Sequence, residues 1–328
     1  MPDFISILRK MAERDSMGTA DSSGSTKKWI ISVDETGLEY KKWKNNVTFP
    51  VYAGRAYLSG YCNNAFDFHW HDGPELSVVI EGRMEYLVND KQYFMEMGDC
   101  VFVNSGAMHS GRSVDGGDCV YLVVSFLPAA LDSDPSGYFA DKYFGGVMES
   151  HSLASMFFKS DQEEHRAIAD ICRKIDLAYQ GKSDGWELEV RGHLFHLWAM
   201  LRREAQALSD TGDDHSASVA RIKKAIRYMN ENYKSKMSLE DIARSCNLSR
   251  SEFCRCFKRI TRQTPFDYLM DLRVRKSLHL LTKEGCSVTE AALASGFSGS
   301  SYYTEVFRRY MNCTPREYVK KMIKKSDE

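Results

Sequence analysis

Residues Ser249–Tyr268 read SRSEFCRCFKRITRQTPFDY, and about fifty residues later Gly299–Tyr318 read GSSYYTEVFRRYMNCTPREY. Phe253 aligns with Tyr303, Phe257 with Phe307, Lys258-Arg259 with Arg308-Arg309, Thr264-Pro265 with Thr314-Pro315 and Tyr268 with Tyr318. A repeated unit carrying basic residues on a short amphipathic helix is the pattern of a chain that reads nucleic acid twice. Phe253 and Phe257, four residues apart, face a core, which leaves Ser251, Cys254, Arg255, Lys258 and Arg259 for the opposite side.

The flanking residues complete the pattern. Ile222, Ile226, Met229 and Tyr233 make a first helical stripe, and Ser238-Leu239-Glu240-Asp241 is a cap followed by acidic residues that opens a short helix. Ser249 caps the next, so the order is helix, tight turn, capped helix: a helix-turn-helix, whose second helix can enter the major groove. A long helix is expected from about Pro265 to Leu281, with Phe266, Leu269, Leu272 and Leu280 buried. Ser287-Val288-Thr289-Glu290 opens a second short helix, Gly296-Phe297 is its turn, and Ser300–Tyr310 is the second reading helix.

Charge divides the chain the same way. Residues 216–328 hold 23 Lys and Arg against 12 Asp and Glu, and the remainder holds 21 against 33. A basic binding module joined to an acidic partner domain accounts for a net charge of only -1 over 328 residues. The nine cysteines are odd in number and lack paired zinc or disulfide spacings. No apolar run is long enough to span a membrane and no signal-peptide core opens the chain, so a reducing cytoplasm is the expected compartment.

Upstream, residues 1–28 read as a disordered leader. From Trp29 to about Pro128 the signal is β, with expected strands at 51–58, 75–80, 83–88, 92–95, 100–103 and 119–126, punctuated by Gly, Asn and Asp. Many short strands at regular spacing argue for a barrel or sandwich. Within them lies His69-Trp70-His71-Asp72-Gly73-Pro74-Glu75, followed by Gly82, Gly98-Asp99, Gly106 and His109. Alternation sets His69 and His71 on one face of a strand. Three histidines and a glutamate are a competent donor set for a divalent transition metal. The alternative, taken as the expectation, is that His69, His71, Glu75 and His109 line a polar, ligand-binding pocket in the barrel mouth without a metal. The nearby Phe66, Phe68 and Trp70 are read as core.

Residues 132–160 read as loop with short helical turns. Ile168, Ile171, Ile175, Ala178 and Tyr179 then form one helical stripe, and Val190, Leu194, Leu197, Trp198 and Leu201 another. These stripes must bury on each other, on the barrel or on a second subunit. Residues 209–217 are polar and acidic and read as a linker. The expected organisation is therefore α+β and multidomain: a sensing domain at 29–160, a helical pair at 161–208 and an all-α tandem helix-turn-helix domain at 218–324.

The histidine motif resembles the cupin pattern, its first block complete and its second carrying Asn104 where proline is usual. Residues 219–321 are similar throughout to the DNA-binding domain of the AraC/XylS family of transcription regulators. The match runs through Ser238-Leu239-x-x-Ile242-Ala243, Ser249-x-x-x-Phe253-x-x-x-Phe257-Lys258, Thr264-Pro265-x-x-Tyr268-Leu269, Arg273-x-x-x-x-Leu278-x-x-Leu281, Gly296-Phe297-x-x-x-Ser301-Tyr302-Tyr303-x-x-x-Phe307-Arg308 and Thr314-Pro315-x-x-Tyr318. The upstream barrel and helical pair are similar to that family's sensor and dimerisation domain. The resemblance implies base-reading positions at Ser251, Cys254 and Arg255, and at Ser300, Ser301, Thr304 and Glu305. Phosphate contacts fall to Lys258, Arg259, Arg308 and Arg309. Glu305 stands where several relatives carry Arg. It further implies double-stranded DNA as partner, a small-molecule effector (a sugar being the leading candidate), a homodimer, and RNA polymerase if the protein activates. No catalytic residue, cofactor or bound metal is assigned. A metalloenzyme with a basic appendage is the competing reading, opposed by the altered second block and the length of the tandem motif.

Overall fold

A computed structural model of the chain describes residues 49–114, 116–131, 140–148, 150, 153–208, 216–282 and 285–326. The expected leader and most of the expected linker lie outside these residues. The last two linker residues, 216–217, begin a helix instead. The chain divides into two compact units, with the boundary between Asp214 and His215.

Among the described residues the first unit holds nine strands: β1 Val51–Tyr57, β2 Ala65–His69, β3 Glu75–Glu81, β4 Met84–Val88, β5 Lys91–Met95, β6 Cys100–Val103, β7 His109–Ser113, β8 Val120–Phe126 and β9 Ser155–Phe158. They form a five-stranded sheet, β1-β8-β3-β6-β9, and a four-stranded sheet, β2-β7-β4-β5, with every pairing antiparallel. Strand β3 shows why its sequence reads as continuously apolar. Leu76, Val78 and Ile80 point to a core shared with helices, while Val79 belongs to a second core between the sheets. With a period of two, Glu75 and Ser77 share the face of Val79. A strand buried on both faces loses the alternation that marks a half-exposed one.

Helices α1 Glu163–Gly181 and α2 Trp186–Leu208 follow. Ile168, Ile171, Ile175, Val190, Leu194, Leu197, Trp198 and Leu201 join Leu76, Phe102 and Val124 of the five-stranded sheet in one core. Of the three places these stripes could be buried, two take them: the helices pack on each other and on the chain's own sheet. Each fully buried Leu or Ile contributes about 1.5–3 kcal/mol relative to exposure, so this layer is integral to the unit. Asn104, which departs from the cupin pattern, ties the end of β6 to residues further along. Its Nδ2 donates to the carbonyls of Val147 at 2.7 Å and Leu153 at 2.9 Å, which proline cannot do.

The second unit is helical: α3 Ser216–Asn232, α4 Leu239–Ser245, α5 Arg250–Thr261, α6 Pro265–Thr282, α7 Val288–Ala294, α8 Ser300–Met311 and α9 Pro315–Ser326. Four Ser/Thr-x-x-Asp/Glu boxes start α4, α6, α7 and α9, at Ser238/Asp241, Thr264/Asp267, Ser287/Glu290 and Thr314/Glu317. Each satisfies helix-start donors that would otherwise be orphaned. The boxes repeat between the two halves, as the side-chain pattern does.

Helix α6 connects the halves. Phe266 is exposed there, at 52%, and not buried as its spacing predicts; Pro265, Tyr268, Leu269 and Leu272 form the buried face. Arg273 is buried in the middle of α6. It donates from Nε to the Tyr233 carbonyl and from an Nη to that of Ser235, both at 2.8 Å. Its guanidinium also sits 6.0 Å from the centre of the Phe297 ring in the second turn. Gly296 makes this approach possible: its φ is +85°, and a Cβ there would lie 2.3 Å from the Tyr233 carbonyl oxygen.

Candidate functional site

In the second unit, the start of α5 is fixed by Ser249, whose Oγ accepts from the Glu252 N–H at 3.3 Å, and its end by Arg262 in the left-handed region. Phe253, Cys256, Phe257 and Ile260 bury one face. Ser251, Arg255, Lys258 and Arg259 are exposed on the other, and Cys254 is half-buried at its edge. Among the described residues, Arg255, Lys258 and Arg259 carry no ion pair, so their charge is presented to solvent. Arg250, one position before the expected reading face, is instead paired with Glu240 at 2.9 Å.

Helix α8 has the same buried face, Tyr303, Val306 and Phe307, held to α6 by a 2.7 Å hydrogen bond between the Tyr303 and Ser277 hydroxyls. Its outer face differs. Ser301, Thr304, Glu305, Arg308 and Arg309 line one shallow depression. The Thr304 hydroxyl donates to the Ser300 carbonyl at 2.7 Å, and Glu305 lies 3.7 Å from Arg309. Glu305 therefore offsets part of the charge that its neighbour brings, and Arg308 is left without an ion pair among the described residues. The helix opens on Gly299, which offers no side-chain cap.

In the first unit the structure brings His69, His71, His109 and Glu75 together. His69 ends β2 and is the cross-strand partner of His109, the first residue of β7. Glu75 opens β3 in the opposing sheet. His71 lies past the end of β2, not within a strand as alternation suggests, on the turn that joins the sheets. Gly73 allows this turn to close against β8: a Cβ there would fall 2.0 Å from the Phe126 carbonyl oxygen. All four residues are enclosed, with exposures between 0% and 5%.

Each imidazole is oriented from behind. The Nδ1 of His69 lies 2.8 Å from the Asp67 carbonyl oxygen, that of His71 2.6 Å from that of Gly73, and that of His109 3.0 Å from that of Ala107. A carbonyl only accepts, so in each ring Nδ1 donates and the neutral ring's lone pair is on Nε2. The ligand atoms of the three histidines lie within 4.8 Å of one another. Burial, then the neighbouring His69 and His71, push the His109 imidazole well below its ordinary range, which favours this neutral form.

Glu75 completes the cluster. Its Oε2 is 3.3 Å from His71 Nε2 and its Oε1 3.8 Å from His109 Nε2, yet neither contact has hydrogen-bond geometry and both Nε2 atoms are buried without a partner. An orphaned buried polar atom costs about 1–3 kcal/mol. The Tyr86 and Ser77 hydroxyls donate to Glu75 Oε1 at 3.4 and 3.3 Å, and the Tyr86 ring stacks on His109 with 5.9 Å between centres. Phe66 sits edge-on to His69 at 5.5 Å, so it is core, as expected, and also a wall of the cluster. Ser77 and Tyr86 were not among the expected site residues, although Ser77 shares the strand face of Glu75 by simple alternation.

Residues 52–198, which contain the histidine cluster, match the model of an AraC-like ligand binding domain, and residues 242–321, which contain α5 and α8, match that of a helix-turn-helix domain. An HTH-type transcriptional regulator of Bacillus subtilis, YdeC, is 31% identical over 274 residues, covering 84% of this chain and 93% of its own. The chain belongs to the AraC family of transcription regulators. The melibiose operon regulatory protein of Escherichia coli is 21% identical, covering 77% of this chain and 83% of its own. The transcriptional activator RhaS of Klebsiella pneumoniae is 25% identical, covering 77% and 87%. The regulator thus joins a DNA-binding helical unit to a ligand-binding β unit, and among the described residues no helix is long and apolar enough to cross a membrane.

Proposed function

We propose that this regulator binds double-stranded DNA through α5 and α8, with α5 supplying most of the base discrimination and α8 most of the positioning. The observation that carries this reading is the contrast between two helices with the same buried face. Arg255, Lys258 and Arg259 present unpaired charge on α5, whereas α8 offers serines and a glutamate within reach of Arg309. An unpaired guanidinium can fork onto guanine O6 and N7, while Lys258, Arg259 and Arg308 suit phosphates. Glu305 can accept from cytosine N4.

Binding in the β unit controls that activity, and a sugar is the proposed effector, supported by a relative that regulates a melibiose operon. An effector acts only through a difference in affinity between two states of the protein. The proposed assembly is a homodimer. Its support is a stripe on α2 that faces away from the sheet: Leu188, Gly192, Phe195 and Ala199 are exposed, Leu188 by 76%. By analogy with an activator among its relatives, RNA polymerase is the further partner, and the cytoplasm the site of action. A thermal-shift screen of sugars with the full-length protein tests the effector. A sugar present at a hundred times its Kd is expected to stabilise the protein by about 2.7 kcal/mol. Stabilisation by other metabolite classes, with none by any sugar, contradicts the carbohydrate reading.

A further inference from the structure

We infer that Arg273, seated against Gly296, is a positioning residue for DNA binding. It locks the two helix-turn-helix halves together so that α5 and α8 engage one duplex at once, a role that rests on the DNA contacts proposed above for those helices. Each half grips its own end of α6: the Phe257 ring of α5 lies 5.5 Å from that of Tyr268, and the Tyr303 hydroxyl of α8 bonds that of Ser277. Between these grips α6 alone would let the halves flex. A bend of about 10° at the middle of this 18-residue helix, about 27 Å long, shifts either end by about 2 Å. That is more than half of the roughly 3.4 Å between successive base pairs, enough to take one reading helix off its contacts while the other stays on.

The halves also meet directly beside α6. Arg273 donates from Nε to the Tyr233 carbonyl and from Nη2 to the Ser235 carbonyl, both in the turn after α3 in the first half, and its guanidinium lies over Phe297 in the turn of the second. Lys276, almost one helical turn further on, brings its Nζ to 5.8 Å from the Tyr233 ring. Among the described residues Arg273 has no acidic partner, so two carbonyls and a ring hold a buried charge. Burying a charge costs free energy, which favours register over stability as the use of this arrangement. Gly296 points the same way. Its counterpart in the first half, the residue directly after the C-cap of the short helix, is Asn247 at a φ of +56°, so a left-handed turn there accepts a side chain. Close approach is what excludes one at Gly296, where a Cβ would lie 2.3 Å from the Tyr233 carbonyl oxygen and 3.0 Å from Arg273 Nε.

The test is a double-mutant cycle read by the salt dependence of DNA affinity, with full-length protein and a duplex that the wild type selects from a random pool. In the wild-type background, Lys258→Ala on α5 and Arg308→Ala on α8 should each reduce the slope by about 1. In the Arg273→Met background, which keeps the stem and loses the fork, Lys258→Ala should still reduce it by about 1. Arg308→Ala should then leave the slope unchanged, because α8 no longer reaches its phosphates. Arg273→Lys keeps the charge but cannot fork onto two carbonyls, so it should behave as Arg273→Met does, and it decides the matter if the methionine variant fails to fold. Distant residues with independent roles add. An equal effect of Arg308→Ala in both backgrounds, or none in either, therefore overturns the proposal and leaves Arg273 with stability alone. Wild-type binding that ignores salt would instead sink the DNA-binding reading, and the proposal with it.

Discussion

Arg255 and Arg309 occupy comparable exposed faces of α5 and α8, yet only one is free of an ion pair among the described residues. Arg309 has Glu305 at 3.7 Å, while Arg255 has no ion pair among the described residues. Arg255→Ala is therefore expected to cost about 1–3 kcal/mol on the preferred operator and to relax preference at one base pair. Lys258→Ala should weaken binding uniformly across sequences. Competition binding against single-base operator variants separates the two; equal losses on all sequences for Arg255→Ala would make it a phosphate contact. The pattern of residues showed which side of each helix faces out. It did not show that Glu305 and Arg309 would pair, or that the Thr304 hydroxyl would be used by the Ser300 carbonyl, because rotamers and local partners decide such details.

Helices α4, α7 and α9 each begin on a hydroxyl–carboxylate box, and these boxes make the helical unit sensitive to acid. Hydrogen bonds from the Ser238 hydroxyl and N–H hold the Asp241 carboxyl below its ordinary value of 3.8. Those from Ser287 and Thr314 hold Glu290 and Glu317 below 4.5. A carboxyl lowered by folding adds stability above its unfolded pKa, and that stability is lost as pH falls through the folded one. Glu290→Ala should therefore destabilise the unit at neutral pH, and its difference from the wild type should vanish as acid protonates the carboxyl. Denaturant melts at several pH values check this; a difference that persists in acid would assign the effect to helix propensity. These helices were legible because caps, turns and apolar spacing are local. Strands β7 and β9 were not singled out, and β2 only through His69: β7 reads His-Ser-Gly-Arg-Ser, and it is a strand because β2 and β4 pair with it on both sides. Phe266 was misplaced for a related reason, since buried Pro265 takes the position that spacing gives to its neighbour.

The whole chain joins a basic helical unit to an acidic β unit, and the repeated sequence by itself made the fold class of the helical unit legible. The histidine motif was equally visible, but its meaning depended on how far the residues are buried and which way Nε2 points, and neither follows from spacing. The central claim remains that the exposed basic face of the helical unit binds DNA. It is tested most directly by the affinity of the full-length protein for DNA flanking its own gene, measured at a series of salt concentrations. Neutralising phosphates releases counterions, so log affinity should fall linearly with log salt at a slope of about −0.9 per phosphate contact, and Lys258→Ala should reduce that slope by about 1. Binding that ignores salt, or no binding under any condition with or without effector, would contradict the account.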